Sequence, residues 1–111
     1  MDGVVSREPE RERVFGLVCA LPEELGSLRE RATAVERRLG LDVLDVRCGA
    51  SRVRACVGGV GKVYAARAAA AVLSTGQLDG LLVVGVGGGL RSHLATGTLV
   101  HCVAAYQTDL A

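Results

Sequence analysis

Leu81-Leu82-Val83-Val84-Gly85-Val86-Gly87-Gly88-Gly89-Leu90 is the stretch on which the fold turns. An apolar run without polar alternation meets a cluster of glycines. Such a run reads as a strand buried on both faces, in a sheet covered by helices. The glycines permit positive φ and let backbone N–H groups approach a ligand closely. In open α/β sheets ligands bind beyond the carboxyl ends of the strands. The expectation is therefore a strand that delivers a loop to a site.

Working outward, Val14-Phe15-Gly16-Leu17-Val18-Cys19-Ala20 is a second unbroken apolar run and a second buried strand. Leu21-Pro22-Glu23-Glu24-Leu25 follows, with proline and acidic residues where a helix starts. Leu25, Leu28, Ala32, Val35 and Leu39 recur at helical spacing, which predicts an amphipathic helix closed by Gly40. Residues 41–47 and 53–57 read as two strands of an antiparallel hairpin turning at Cys48-Gly49-Ala50-Ser51. Gly58-Gly59-Val60-Gly61-Lys62 leads into an alanine-rich helix over Val63 to Leu73. After the glycine cluster, Thr98 to Ala105 predicts a last strand. The order β, α, β, β, α, β, β is α/β, a three-layer α/β/α arrangement with a central mixed sheet. No helix follows the final strand, so the chain reads as cut off. Residues 1–13 are charged around Pro9 and predict a disordered lead-in to a domain over 14–111.

The 111 residues suffice for one small domain, and the net charge of +1 gives no case for nucleic acid or an anionic membrane. No apolar run approaches the ~20 residues of a membrane span. Cys19, Cys48, Cys56 and Cys102 form no C-x-x-C pair, and His93 and His101 are not at zinc spacing from them, so no metal is expected. The cysteines read as small buried hydrophobes in a reduced, cytoplasmic setting. Arg52, Arg54 and Arg67 read as surface charges, Lys62 as a solvated or carbonyl-capping lysine, and the two histidines as structural.

Two phosphate motifs fail on spacing. A P-loop ending at Gly61-Lys62 needs glycine at Cys56 and a hydroxyl at Val63. A dinucleotide fingerprint opening at Gly85-Val86-Gly87 needs its third glycine at Leu90. Another constellation holds in order and spacing. Ala20-Leu21-Pro22-Glu23-Glu24 follows a strand, and Gly59-Val60-Gly61-Lys62 opens a helix. Gly85 to Leu90 follows a strand, and Gly97-Thr98-Leu99-Val100 enters the next. Together these resemble the nucleoside phosphorylase and nucleosidase superfamily, over the N-terminal half of its domain.

Within it the hydrolases look closer than the phosphorylases. The 5′-methylthioadenosine/S-adenosylhomocysteine nucleosidases keep a glutamate where Glu24 stands, and the resemblance implies that Glu24 positions and deprotonates the attacking water. It also implies that Ala20, Leu21, Gly59, Val60, Gly85, Val86 and Gly87 line the nucleoside pocket. Those nucleosidases have serine where Val86 stands and alanine at Gly87. The Gly-Val-Gly-Gly-Gly form, with Asp109-Leu110 further on, is similar to the futalosine hydrolases of menaquinone synthesis. The resemblance thus implies nucleoside metabolism, in methionine salvage or menaquinone synthesis, with a small-molecule nucleoside as partner, no cofactor, and a homodimer or other self-association. The family's leaving-group acid and ribose-gripping glutamate fall outside these residues, so the chain alone is expected to be inactive or nearly so. Two readings stay open beside hydrolysis: phosphorolysis, and a non-catalytic fragment that self-associates.

Overall fold

The computed structural model describes residues 11–108. Residues 1–10, most of the expected lead-in, lie outside the described residues, as do Asp109 and Leu110. Five strands form one sheet: β1 (Arg13–Cys19), β2 (Ala32–Arg38), β3 (Leu41–Cys48), β4 (Ser51–Val57) and β5 (Gly80–Val83). Their order across the sheet is β2-β3-β4-β1-β5. β1 runs parallel to both its neighbours, and β2-β3-β4 is an antiparallel meander. The sheet is therefore mixed, as expected.

β1 is an interior strand between β4 and β5, and Leu17, Val18 and Cys19 are all buried. Alternation sends Val18 to one face and Leu17 and Cys19 to the other. On the first face Val18, Val43 and Cys56 pack against Ala68, Ala71 and Val72 of helix α1 (Lys62–Leu73). The small alanines let the helix lie close to the strands. On the second face Leu17, Cys19, Val53 and Ala55 pack under Leu25, with Leu28 beside them, from a 3-10 segment, Pro22–Leu28.

That 3-10 segment corrects the first expected helix. Gly26 sits at φ 56, ψ −135, outside helical space, and the chain then enters β2 rather than continuing to Gly40. Leu39 and Gly40 take φ values of 50 and 76, the paired positive values of a two-residue hairpin turn, so β2 folds back on β3. The helical spacing of Leu25 to Leu39 lost to this pairing. β2 is an edge strand with five exposed residues in its middle, so its sequence carries no alternation to betray it. Arg67 of α1 fixes the turn, donating from Nε (3.0 Å) and Nη2 (2.8 Å) to the Leu39 carbonyl.

Two further corrections concern the C-terminal side. Among the described residues β5 is the other edge, with β1 as its one neighbour, and Leu82 (53 %) and Val83 (79 %) are exposed rather than buried on both faces. Residues 98–105 form no strand and pair with none among the described residues, leaving Leu99 and Val103 exposed. A strand needs a neighbour for its N–H and C=O groups, which an apolar pattern cannot supply.

Three arginines expected on the surface are engaged. Arg52 donates to Asp45 (2.7 Å) and Glu12 (3.0 Å). Arg54 donates to the Thr75 carbonyl (3.2 Å) and hydroxyl (2.9 Å), tying β4 to the end of α1. Cys19 and Cys56 are buried as expected, Cys48 is partly buried, and Cys102 is exposed. No helix among the described residues is long and apolar enough to cross a membrane.

Candidate active site

The carboxyl ends of β1, β4 and β5 lie side by side, and three turns leave them. The β1 turn becomes the 3-10 segment, the β4 turn becomes α1, and the chain beyond β5 carries the glycine cluster. Between them is a cleft of about 240 Å³ lined by Val18, Cys19, Ala20, Glu24, Gly59, Gly61, Ala65, Val83, Val84 and Gly85. Backbone bonds brace its floor: Gly58 N–H donates to the Cys19 carbonyl (3.0 Å), Gly59 N–H to Ala20 (3.1 Å) and Val84 N–H to Val18 (3.0 Å).

Glu24 joins the turns. The Ala20 and Leu21 N–H groups donate to its Oε1 at 3.0 and 2.8 Å, and the Val86 N–H donates to its Oε2 at 3.2 Å. Glu24 N–H in turn donates to the Leu21 carbonyl (3.1 Å). The side chain is half-buried and, among the described residues, is the one carboxylate lining the cleft. A carboxylate oxygen has two lone pairs. Oε1 has both engaged, whereas Oε2 keeps one for a further donor.

Cys19 is the other titratable lining residue. Burial pushes its thiol up from 9.0, reinforced by the Glu24 carboxylate and then Cys56. Its Sγ lies 3.5 Å from the Leu21 carbonyl, to which the S–H donates. A thiol held in this protonated form is a poor nucleophile.

Of the residues singled out from the sequence, Glu24, Ala20, Gly59 and Gly85 line the cleft together. Leu21, Val60, Val86 and Gly87 lie beside it without lining it, although the Leu21 and Val86 N–H groups hold Glu24. Val18, Cys19, Gly61, Ala65, Val83 and Val84 line it and were not singled out. They enter through strand ends and the first turn of α1, where small apolar residues leave no chemical signature. The glycine cluster works differently from expectation. None of Gly85 to Gly89 takes positive φ. Gly85 matters through proximity, because a Cβ there would stand 3.0 Å from Glu24 Oε2. Lys62, His93 and His101 are exposed and do not line the cleft.

The fold is that of an α/β protein with its cleft at the carboxyl ends of a mixed sheet, the place where open α/β sheets bind ligands. Residues 14–111 match the model of the Phosphorylase superfamily, and the chain belongs to that family. No curated protein sequence matches it. Among solved structures it is similar to an S-adenosylhomocysteine nucleosidase from Streptococcus pyogenes in complex with 5-methylthiotubericidin. The identity is 24% and the TM-score 0.69, over 79% of this chain and 38% of that one. It is also similar to a Helicobacter pylori 5′-methylthioadenosine/S-adenosyl homocysteine nucleosidase, at 19% identity and TM-score 0.63, over 78% of this chain and 38% of that one. A mutant of Helicobacter pylori MTAN with 5′-methylthioadenosine in its active site aligns at 17% identity and TM-score 0.65, over 77% of this chain and 38% of that one. The chain thus spans well under half the length of these proteins, and the likeness is one of fold.

Proposed function

We propose that the cleft is the nucleophile side of an N-ribosyl hydrolase site for a purine nucleoside, of the 5′-methylthioadenosine, S-adenosylhomocysteine or futalosine kind. One observation carries this reading: a carboxylate, with one oxygen still able to accept, in a cleft whose other described lining residues are small and apolar. Glu24 would hold water through Oε2 and take its proton as the oxygen attacks the anomeric carbon. Phosphorolysis is the weaker alternative, because among the described residues no arginine and no hydroxyl side chain lines the cleft to hold a phosphate dianion. The bound compounds of two similar structures, 5-methylthiotubericidin and 5′-methylthioadenosine, support the substrate class.

Glycosidic cleavage also needs an acid for the departing base, and the cleft has no second carboxylate among the described residues. General acid catalysis contributes about 10²–10⁴-fold. The 111 residues alone are therefore expected to turn over little or nothing. The test is release of free base from 5′-methylthioadenosine, S-adenosylhomocysteine and futalosine, with and without phosphate, beside the mass in solution. Free ribose sugar supports hydrolysis, and ribose 1-phosphate supports the phosphorylase. Glu24→Gln should lower any turnover by about 10²–10⁴-fold; retained turnover removes Glu24 from its role. Absence of both turnover and nucleoside binding, in a chain that self-associates, favours a non-catalytic fragment, a reading suited to the exposed β5 edge.

A further inference from the structure

We propose that Glu24 is a latch for the chain leaving β5, closed only while both carboxylate oxygens accept. The last sheet-type bond on this side is Val84 N–H to the Val18 carbonyl. Beyond it, the segment bonds within itself. Leu94 N–H donates to Arg91, and the Thr98 N–H and hydroxyl donate to Ala95. Val86 N–H to Glu24 Oε2 then ties the start of the segment beyond Val84 to the 3-10 segment on the far side of the cleft. Packing does not replace it at the neighbouring glycines. A Cβ at Gly87 or Gly88 would meet nothing within 4 Å.

The acceptor arithmetic makes the latch depend on charge. Oε1 is occupied by the Ala20 and Leu21 N–H groups, so Oε2 is the oxygen with room for a proton. A hydroxyl at Oε2 accepts more weakly than a carboxylate oxygen, and the Val86 N–H loosens. A glutamine behaves alike. With its carbonyl oxygen towards Ala20 and Leu21, its amide NH₂ faces the Val86 N–H, donor against donor. The usual isosteric control at this position therefore also opens the latch.

The consequence for catalysis rests on the hydrolase reading. When Glu24 takes a proton from water, the O–H bond breaks and its electron pair stays on the attacking oxygen. The proton lands on Oε2, and the glycine-rich segment is released as the base is used. Cys19, held as a thiol, is the other titratable group lining the cleft.

Amide hydrogen exchange on the full chain tests the latch without any nucleoside. In the unsubstituted protein Val86 should be protected about tenfold or more over Gly85, Gly87 and Gly88. Glu24→Gln should bring Val86 to its neighbours' level while the central amides of β1 and β4 keep their protection. Glu23→Gln should change neither. A Val86 amide no more protected than Gly87 in the unsubstituted protein overturns the latch, and that comparison stands even if Glu24→Gln fails to fold. So does a Val86 that stays protected in Glu24→Gln. Protection at Val86 with neither turnover nor nucleoside binding removes the hydrolase reading and leaves the latch; turnover or nucleoside binding without that protection does the reverse.

Discussion

The two edges of the sheet are finished in different ways. At β2 the outer strand carries Glu36, Arg37 and Arg38, and Arg37 pairs with Asp42 across the hairpin (2.7 Å). Charges along an edge discourage another strand from docking, and the Arg67 clamp on the turn holds this edge in place. At β5 the edge is Leu81-Leu82-Val83, uncharged and exposed, and the chain beyond it leaves the sheet. A bare apolar edge is open to pairing, whereas a charged one is closed to it. The candidate site lies on the open side, so one wall of the cleft, Val83 to Gly85, belongs to the edge strand and the chain leaving it, whereas its floor belongs to the covered strand β1.

The sharpest way to break the contrast is at Gly16. A Cβ there would come within 2.6 Å of Val72 Cγ1, 2.7 Å of Leu81 Cδ1 and 2.9 Å of Leu78 Cδ1. Gly16→Ala should cost about 1–3 kcal/mol by urea unfolding, because buried Val72 is β-branched and stiff. Exchange protection should fall first in β5 and last in β2.

A smaller effect should come from swapping the edges' chemistry. Val83→Lys places a charge on β5 and should weaken any self-association several-fold by sedimentation. Arg37→Val strips a charge from β2 and should strengthen it. Equal responses at the two edges would remove the distinction.

The smallest effect concerns Asp79, at the entrance to β5. It accepts from Arg11 (2.6 and 3.1 Å) and from the Val14 N–H (2.8 Å). The Arg11 guanidinium, then the Val14 N–H, lowers its carboxyl from 3.8 to about 2. The unfolded chain takes up this proton near 3.8 and the folded chain near 2. The stabilisation is therefore complete above about pH 4 and is lost as pH falls through about 2. Asp79→Asn should flatten that part of the acid-unfolding curve and lower stability at pH 7 only slightly, since solvent screens the largely exposed Arg11 guanidinium.

Much of the fold was legible because burial writes itself into sequence. Leu17, Val18 and Cys19 sit under cover on both faces, and their run is unbroken. Ala68, Ala71 and Val72 give α1 its inner stripe. Where burial is slight the sequence misleads. β2 exposes most of its side chains, so the chance spacing of Leu25 to Leu39 read as a helix. The apolar residues of 81–84 and 98–105 read as strands within cover, since composition records hydrophobicity and not neighbours. In the cleft, Glu24 and the glycines stood out by chemistry. Val18 and Ala65 reach it by position alone.

The strand order has a kinetic consequence. β2, β3 and β4 meet through near neighbours in sequence, as Arg38 meets Leu41 and Cys48 meets Ser51. β1 comes first in the chain yet lies between the meander and β5, with Arg13 reaching to Ser51 and Phe15 to Gly80. Closing such long loops carries an entropy cost that the hairpins avoid, and non-local pairing slows folding. The meander should form early, and the strand that floors the cleft should be inserted late.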